Sequence, residues 1–126
     1  MRIVFCDDEA IIRRLIELSL RGTSHEFQMA STGVEALELV REWHPDLLIT
    51  DVAMRGMDGL ELAAAVRADP RVEGLRVVFM TASVNRDAIE ELSTEGVASH
   101  LRKPFGPAAL RALLISLEGS MERRAH

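Results

Sequence analysis

Five short β-rich runs alternate with stretches of helical periodicity along the chain, and this alternation restricts it to βα units built around a parallel sheet. The runs expected as strands are residues 2–6, 26–30, 46–50, 75–80 and 97–101. The first, third and fourth are almost continuously apolar, as in Ile3-Val4-Phe5-Cys6 and Val77-Val78-Phe79-Met80. That is the pattern of strands covered by helices on both faces. The second alternates instead, with Phe27 and Met29 on one side and Glu26 and Gln28 on the other, so it belongs at an edge. The expected fold class is α/β: a (βα)5, doubly wound, parallel five-stranded sheet.

The intervening segments carry helix start signals as well as period. Thr32-Gly-Val-Glu35 has capping-box spacing ahead of Ala36, Leu37, Val40 and Trp43, and Asp58-Gly-Leu-Glu61 has an acidic version ahead of Leu62 and Val66. Ile12, Leu15 and Ile16 mark one face of the first helix. Pro107 suits the first turn of the last, whose Leu110, Leu113, Leu114 and Leu117 fall at i, i+3, i+4 and i+7. A helix expected over residues 85–95 shows only Ile89 and Leu92 amid charges, so it is the least anchored. With 126 residues, 48% of them hydrophobic, the chain fits one domain with a real core, and no repeat or linker divides it. The expected organisation is a single domain over 1–121 followed by a short tail, 122–126, with no output domain.

Composition excludes several function classes. Apolar runs of four or five residues are far short of the ~20 that cross a bilayer, and no signal peptide h-region follows Met1-Arg2, so no membrane role is expected and cytoplasm is the expected compartment. Cys6 is the single cysteine, which leaves no internal disulfide and no thiolate metal cluster; it reads as a small buried strand residue. A net charge of −5 argues against direct nucleic-acid binding.

The residues at the carboxyl ends of the strands carry the chemistry, because ligands of open parallel α/β sheets bind there. Asp7-Asp8 follow the first strand, Asp51 the third, Thr81 the fourth, and Lys103 lies just past the fifth. One acidic residue after a strand says little; five polar groups on one rim say much more. Carboxylates about 5 Å apart repel by roughly 3 kcal/mol per pair at an effective dielectric near 20. A divalent ion with oxygen ligands relieves this, and Mg²⁺ suits a site with few carboxylates because it keeps several waters of its own. A carboxylate nucleophile, Mg²⁺, a lysine and a threonine together fit phosphoryl transfer, which is mostly positioning and charge neutralisation. Asp58, also acidic, reads as a helix cap. His25, His44 and His126 are scattered and form no metal site.

Cys6-Asp7-Asp8-Glu9, the run from Asp51 through Asp58-Gly59, Met80-Thr81-Ala82 and Lys103-Pro104-Phe105 together resemble the motif set of response-regulator receiver domains, over essentially the whole chain. The resemblance implies the flavodoxin-like strand order 2-1-3-4-5 and a phosphoacceptor of two-component signalling that acts on no separate substrate. Asp51 would form the acyl phosphate, with Asp7 and Asp8 holding Mg²⁺ directly or through water and the Ala53 carbonyl completing the metal site. Thr81 and Lys103 would contact phosphoryl oxygens, helped by backbone N–H groups near Ala53 and Ala82, and the Lys103–Pro104 bond would be cis. The implied partners are a histidine kinase or histidine phosphotransfer domain as donor and a downstream protein target. The target would bind a responsive face over residues 85–117, from Asn85 to Leu117, which in this family can also pair two copies into a homodimer.

Two positions depart from the family pattern. Arg55 stands where proline is usual, which predicts a looser turn between Ala53 and Gly59, and His100 stands where a rotating Tyr or Phe is usual. His100 reads as a half-exposed strand residue, with a pH-responsive role as the sharper alternative. Ala53 and Ser83 are small at positions thought to govern water access to the phosphoryl group. Two other functions remain for such a chain. A receiver-like module that binds constitutively usually lacks one of the key groups, and none is missing here. A haloacid-dehalogenase-type phosphatase has a DxD motif after its first strand, where this chain has adjacent Asp7-Asp8.

Overall fold

The computed structural model describes residues 1–82 and 97–125. In chain order these form β1 (Arg2–Cys6), α1 (Ala10–Ser19), β2 (Glu26–Ala30), α2 (Gly33–Trp43), β3 (Leu47–Asp51), α3 (Gly59–Ala68), β4 (Arg76–Thr81), β5 (Val97–Arg102) and a C-terminal helix (Pro107–Ala125). The five strands are all parallel, in the order β2-β1-β3-β4-β5. Both the doubly wound class and the edge position of β2 agree with the sequence. The boundaries shift by a residue: β3 and β4 run on to include Asp51 and Thr81, so these two close their strands rather than follow them. The helix expected over 85–95 lies outside the described residues. The C-terminal helix takes in residues 122–125, which the sequence set aside as a tail.

Strand alternation divides the core into two layers. Ile3, Phe5, Leu47, Ile49, Val78 and Met80 point to one face, where Ile16 and Leu20 pack with Leu110, Leu114 and Leu117 of the C-terminal helix. Val4, Cys6, Leu48, Val77 and Phe79 point to the other, against Ala36, Leu37 and Val40 of α2 and Leu62, Ala63 and Val66 of α3. Each fully buried aliphatic or aromatic side chain contributes about 1.5–3 kcal/mol, so both faces of β1, β3 and β4 are committed to the core. That leaves function to the strand ends. Registers pairing Cys6 with Ala30 and with Thr50, Asp51 with Met80, and Thr81 with Arg102 bring those ends to one rim.

The caps fix where the helices begin. At α3 the box is complete: Glu61 N–H donates to Asp58 Oδ1 at 2.8 Å and Asp58 N–H to Glu61 Oε1 at 3.4 Å. At α2 only half of it forms. Thr32 Oγ1 accepts from Glu35 N–H at 3.1 Å, while the Glu35 carboxylate takes a bond from Ser31 Oγ at 3.4 Å. Gly33, the first residue of α2, is obligatory because a Cβ there would overlap Met57 of the β3–α3 loop.

At the opposite end of the molecule, Asp69 caps the end of α3 and is clasped by two arginines. Arg41 Nε of α2 reaches Asp69 Oδ2 at 2.7 Å, Arg71 Nη2 reaches the same oxygen at 2.9 Å, and Arg71 Nε and N–H bond Oδ1 at 3.0 and 2.9 Å. Nothing in the sequence analysis picked out this clasp.

Candidate functional site

Asp7 directly follows β1, Asp51 closes β3, Thr81 closes β4 and Lys103 follows β5, so the parallel sheet delivers four of the expected groups to one rim. Asp7, Asp51 and Thr81 are buried, at 1%, 6% and 7% exposure, whereas Asp8 is open to solvent. Lys103 Nζ lies 2.6 Å from Asp7 Oδ2 and 3.4 Å from Asp51 Oδ2. Its own backbone N–H donates to the Thr81 carbonyl at 2.9 Å, which ties β5 to β4 at the site. The Lys103–Pro104 bond is cis, as the resemblance implies. Asp7 is held further by the Glu9 N–H on Oδ1 at 2.9 Å, and Arg13 Nη1 donates to its carbonyl at 2.8 Å. Arg13 was missed in the sequence because a bond to a main-chain oxygen six residues back leaves no residue-type signature.

The three carboxylates and one ammonium set the electrostatics. Burial holds the Asp51 pKa above its ordinary value and the charge of Asp7 adds to this; the Lys103 charge, its hydrogen bond and the Ala53 N–H pull the other way without cancelling it. For Lys103 burial is the largest influence and opposes the ammonium, yet the hydrogen bond to Asp7 and the charges of Asp7 and Asp51 outweigh it, so its pKa is raised. Lys103 is therefore charged at neutral pH and shared between two acids. Cys6, one residue before Asp7, is inert: burial pushes its thiol up to about 12, in keeping with a structural role.

The β3–α3 loop lies closely over Asp51. Gly59 N–H returns to the Val52 carbonyl at 2.9 Å, and a Cβ on Gly59 would overlap the Asp51 carbonyl, so only glycine fits. Met54 Sδ sits 3.5 Å from Cys6 Sγ, and Gly56 turns the chain at φ +72°. The turn carrying Arg55 reaches across to the β1–α1 loop, where the Arg55 N–H donates to Asp8 Oδ2 at 3.3 Å. Ala53, on this loop, is exposed. His100 pairs with Phe79 in the β4–β5 register and is exposed rather than half-exposed.

Asp7, Asp8 and Asp51 each offer one carboxylate oxygen within 4.8 Å of the others, the only such cluster of possible metal ligands among the described residues. Two oxygens on opposite sides of Mg²⁺ at about 2.1 Å each are roughly 4.2 Å apart. A hard, all-oxygen donor set of nearly this span fits that ion, and Asp51, whose pKa burial and the neighbouring Asp7 charge raise, is a group that an added cation would favour in its ionised form.

The model of the response regulator receiver domain family matches residues 3–115. Chemotaxis protein CheY of Pseudomonas aeruginosa is 38% identical over 113 residues, 88% of this chain and 90% of that protein. Chemotaxis protein CheY-3 of Vibrio cholerae is 34% identical over 115 residues, covering 90% and 88%. Among solved structures, Vibrio cholerae CheY4 superimposes with a TM-score of 0.84 at 28% identity, covering 91% of this chain and 96% of that one. The receiver domain of a Pseudomonas aeruginosa sensor histidine kinase, with a magnesium ion coordinated in its active-site cleft, shares the fold at TM-score 0.78 and 22% identity, covering 90% and 93%. With the motifs converging on one acidic rim and the match running through nearly every element, this chain belongs to the response regulator receiver family, a signalling phosphoacceptor of the CheY type.

Proposed function

We propose that Asp51 is the phosphoacceptor and that it takes its phosphoryl group from the phosphohistidine of a histidine kinase or histidine phosphotransfer domain. The observation that carries this is the placing of Lys103 Nζ at 2.6 Å from Asp7 and 3.4 Å from Asp51 beside three carboxylate oxygens within 4.8 Å of one another. A carboxylate oxygen of Asp51 attacks phosphorus, the P–N bond to the donor imidazole breaks, and the electron pair leaves with the imidazole. Lys103 neutralises charge on the phosphoryl oxygens, and the Thr81 hydroxyl and the Ala53 and Ala82 N–H groups donate to them. Asp7, Asp8, Asp51 and the Ala53 carbonyl would hold Mg²⁺, which supplies charge neutralisation between the carboxylates and the incoming group. Attack of water on the phosphorus of the acyl phosphate breaks its bond to the Asp51 oxygen, releasing inorganic phosphate and returning Asp51 to its free carboxylate.

The phosphorylated domain then binds a downstream protein or passes the group on, with residues 85–117 as the responsive face and the cytoplasm as the compartment. The presence of every reacting group favours this over constitutive binding. In the test, the chain is incubated with a small-molecule phosphodonor and Mg²⁺. Wild type gains one acid-labile phosphoryl group and Asp51→Asn gains none; labelling of the variant at the wild-type rate and extent overturns the assignment.

A further inference from the structure

The three carboxylates are held very unequally. Asp7 is gripped on both oxygens, Oδ2 by Lys103 and Oδ1 by the Glu9 N–H. Asp51 is buried and held by Lys103 and the Ala53 N–H. Asp8 is exposed, and among the described residues its carboxylate has one hydrogen-bond partner, the backbone N–H of Arg55 at 3.3 Å. An exposed aspartate otherwise samples its rotamers in water and must be ordered before it can serve a metal.

We propose that the Arg55 backbone N–H is a positioning group for the cation site: by bonding Asp8 Oδ2, it holds the Asp8 carboxylate beside Asp7 and Asp51. The inference rests on the Mg²⁺ site proposed above. The bond joins residues 47 positions apart and spans the two loops that flank the carboxylates, β1–α1 and β3–α3. It is charge-assisted, and at 3.3 Å it lies at the long end for N–H···O, so its effect is modest. Because the donor is main-chain, every residue at position 55 supplies it except proline, which has no N–H. The arginine side chain plays no part in the bond.

The experiment is a Mg²⁺ titration of the full chain, followed by ¹⁵N amide shifts, for wild type, Arg55→Ala and Arg55→Pro. Expected are an Arg55→Ala affinity within about twofold of wild type and an Arg55→Pro affinity about 3–10-fold weaker, in line with loss of one weak ordering bond. The metal-free melting midpoints should agree. Wild-type affinity in Arg55→Pro, or equal weakening in both variants, overturns the inference while leaving the Mg²⁺ site standing; a wild-type chain that binds no Mg²⁺ overturns both. A second measurement avoids proline altogether. In metal-free protein the Arg55 amide should exchange with solvent several-fold faster in Asp8→Ala than in wild type, and equal rates overturn the proposal.

Discussion

Asp51 and Asp69 are buried to the same degree, at 6% and 7% exposure, yet the chain treats them in opposite ways. Asp69 is clasped by two guanidiniums and a backbone N–H, and hydrogen bonds from Arg71 and Arg41 hold its carboxyl far below the usual carboxylate range. Asp51 has one ammonium, 3.4 Å away and shared with Asp7, and burial carries its pKa upward. A buried carboxylate with its charge fully answered is a joint, here fastening α2 to the loop after α3. One whose charge is under-answered is poised for something positive to arrive. The comparison separates structure from function where residue type and burial do not.

The comparison can be broken most forcefully at the backbone of Asp51. Gly59→Ala forces a methyl group against the Asp51 carbonyl, and overpacking of this kind costs about 3 kcal/mol. Chemical denaturation should show that loss together with reduced phosphoryl labelling. Removing the lone ammonium comes next. Lys103→Ala should slow labelling by roughly 100–1000-fold, the usual order for one electrostatic donor, yet bind Mg²⁺ at least as tightly as wild type, since a competing cation is gone. Calorimetric titration beside the labelling rate checks both; weaker Mg²⁺ binding would mean that Lys103 orders the carboxylates rather than competing for them.

Neutralising each aspartate sharpens the contrast further, with changes in stability of opposite sign. At pH 7, Asp69→Asn should lower the denaturation midpoint and leave labelling within about twofold of wild type, a change under roughly 0.5 kcal/mol in barrier. Asp51→Asn should raise the midpoint while abolishing labelling. The pH dependence follows from the same signs. Asp69 is depressed in the fold, so its stabilisation is present above the unfolded value of 3.8 and disappears only as pH falls below it toward the folded value. Asp51 is raised, so stability declines as pH climbs from 3.8 through its folded pKa. The pH titration of stability in Asp51→Asn should therefore lack the contribution by which Asp51 lowers wild-type stability as pH rises above 3.8.

The fold was legible because it depends on periodicity. Continuous apolar strands, the alternation of Phe27 and Met29 with Glu26 and Gln28, and the Asp58–Glu61 box are local patterns with one physical meaning each. The site was legible for a similar reason: a parallel sheet sends every strand's last residues to one rim, so Asp7, Asp51, Thr81 and Lys103 converge once the alternation is recognised. What escaped depends on contacts between distant segments. The Arg41–Asp69 pair spans 28 positions, and the Arg55–Asp8 bond spans 47 and uses a main-chain donor. At position 55 the absence of a proline ring also leaves a main-chain N–H, and it is this donor that reaches Asp8.

The central claim, that Asp51 alone accepts the phosphoryl group, is tested most directly by locating the modification. After exposure to a small-molecule phosphodonor with Mg²⁺, the acyl phosphate can be trapped by borohydride reduction and the modified residue identified by peptide mass spectrometry. A single modified aspartate at position 51 is predicted; a group on Asp7, Asp8, Asp58 or a histidine, with Asp51 unmodified, would contradict the account.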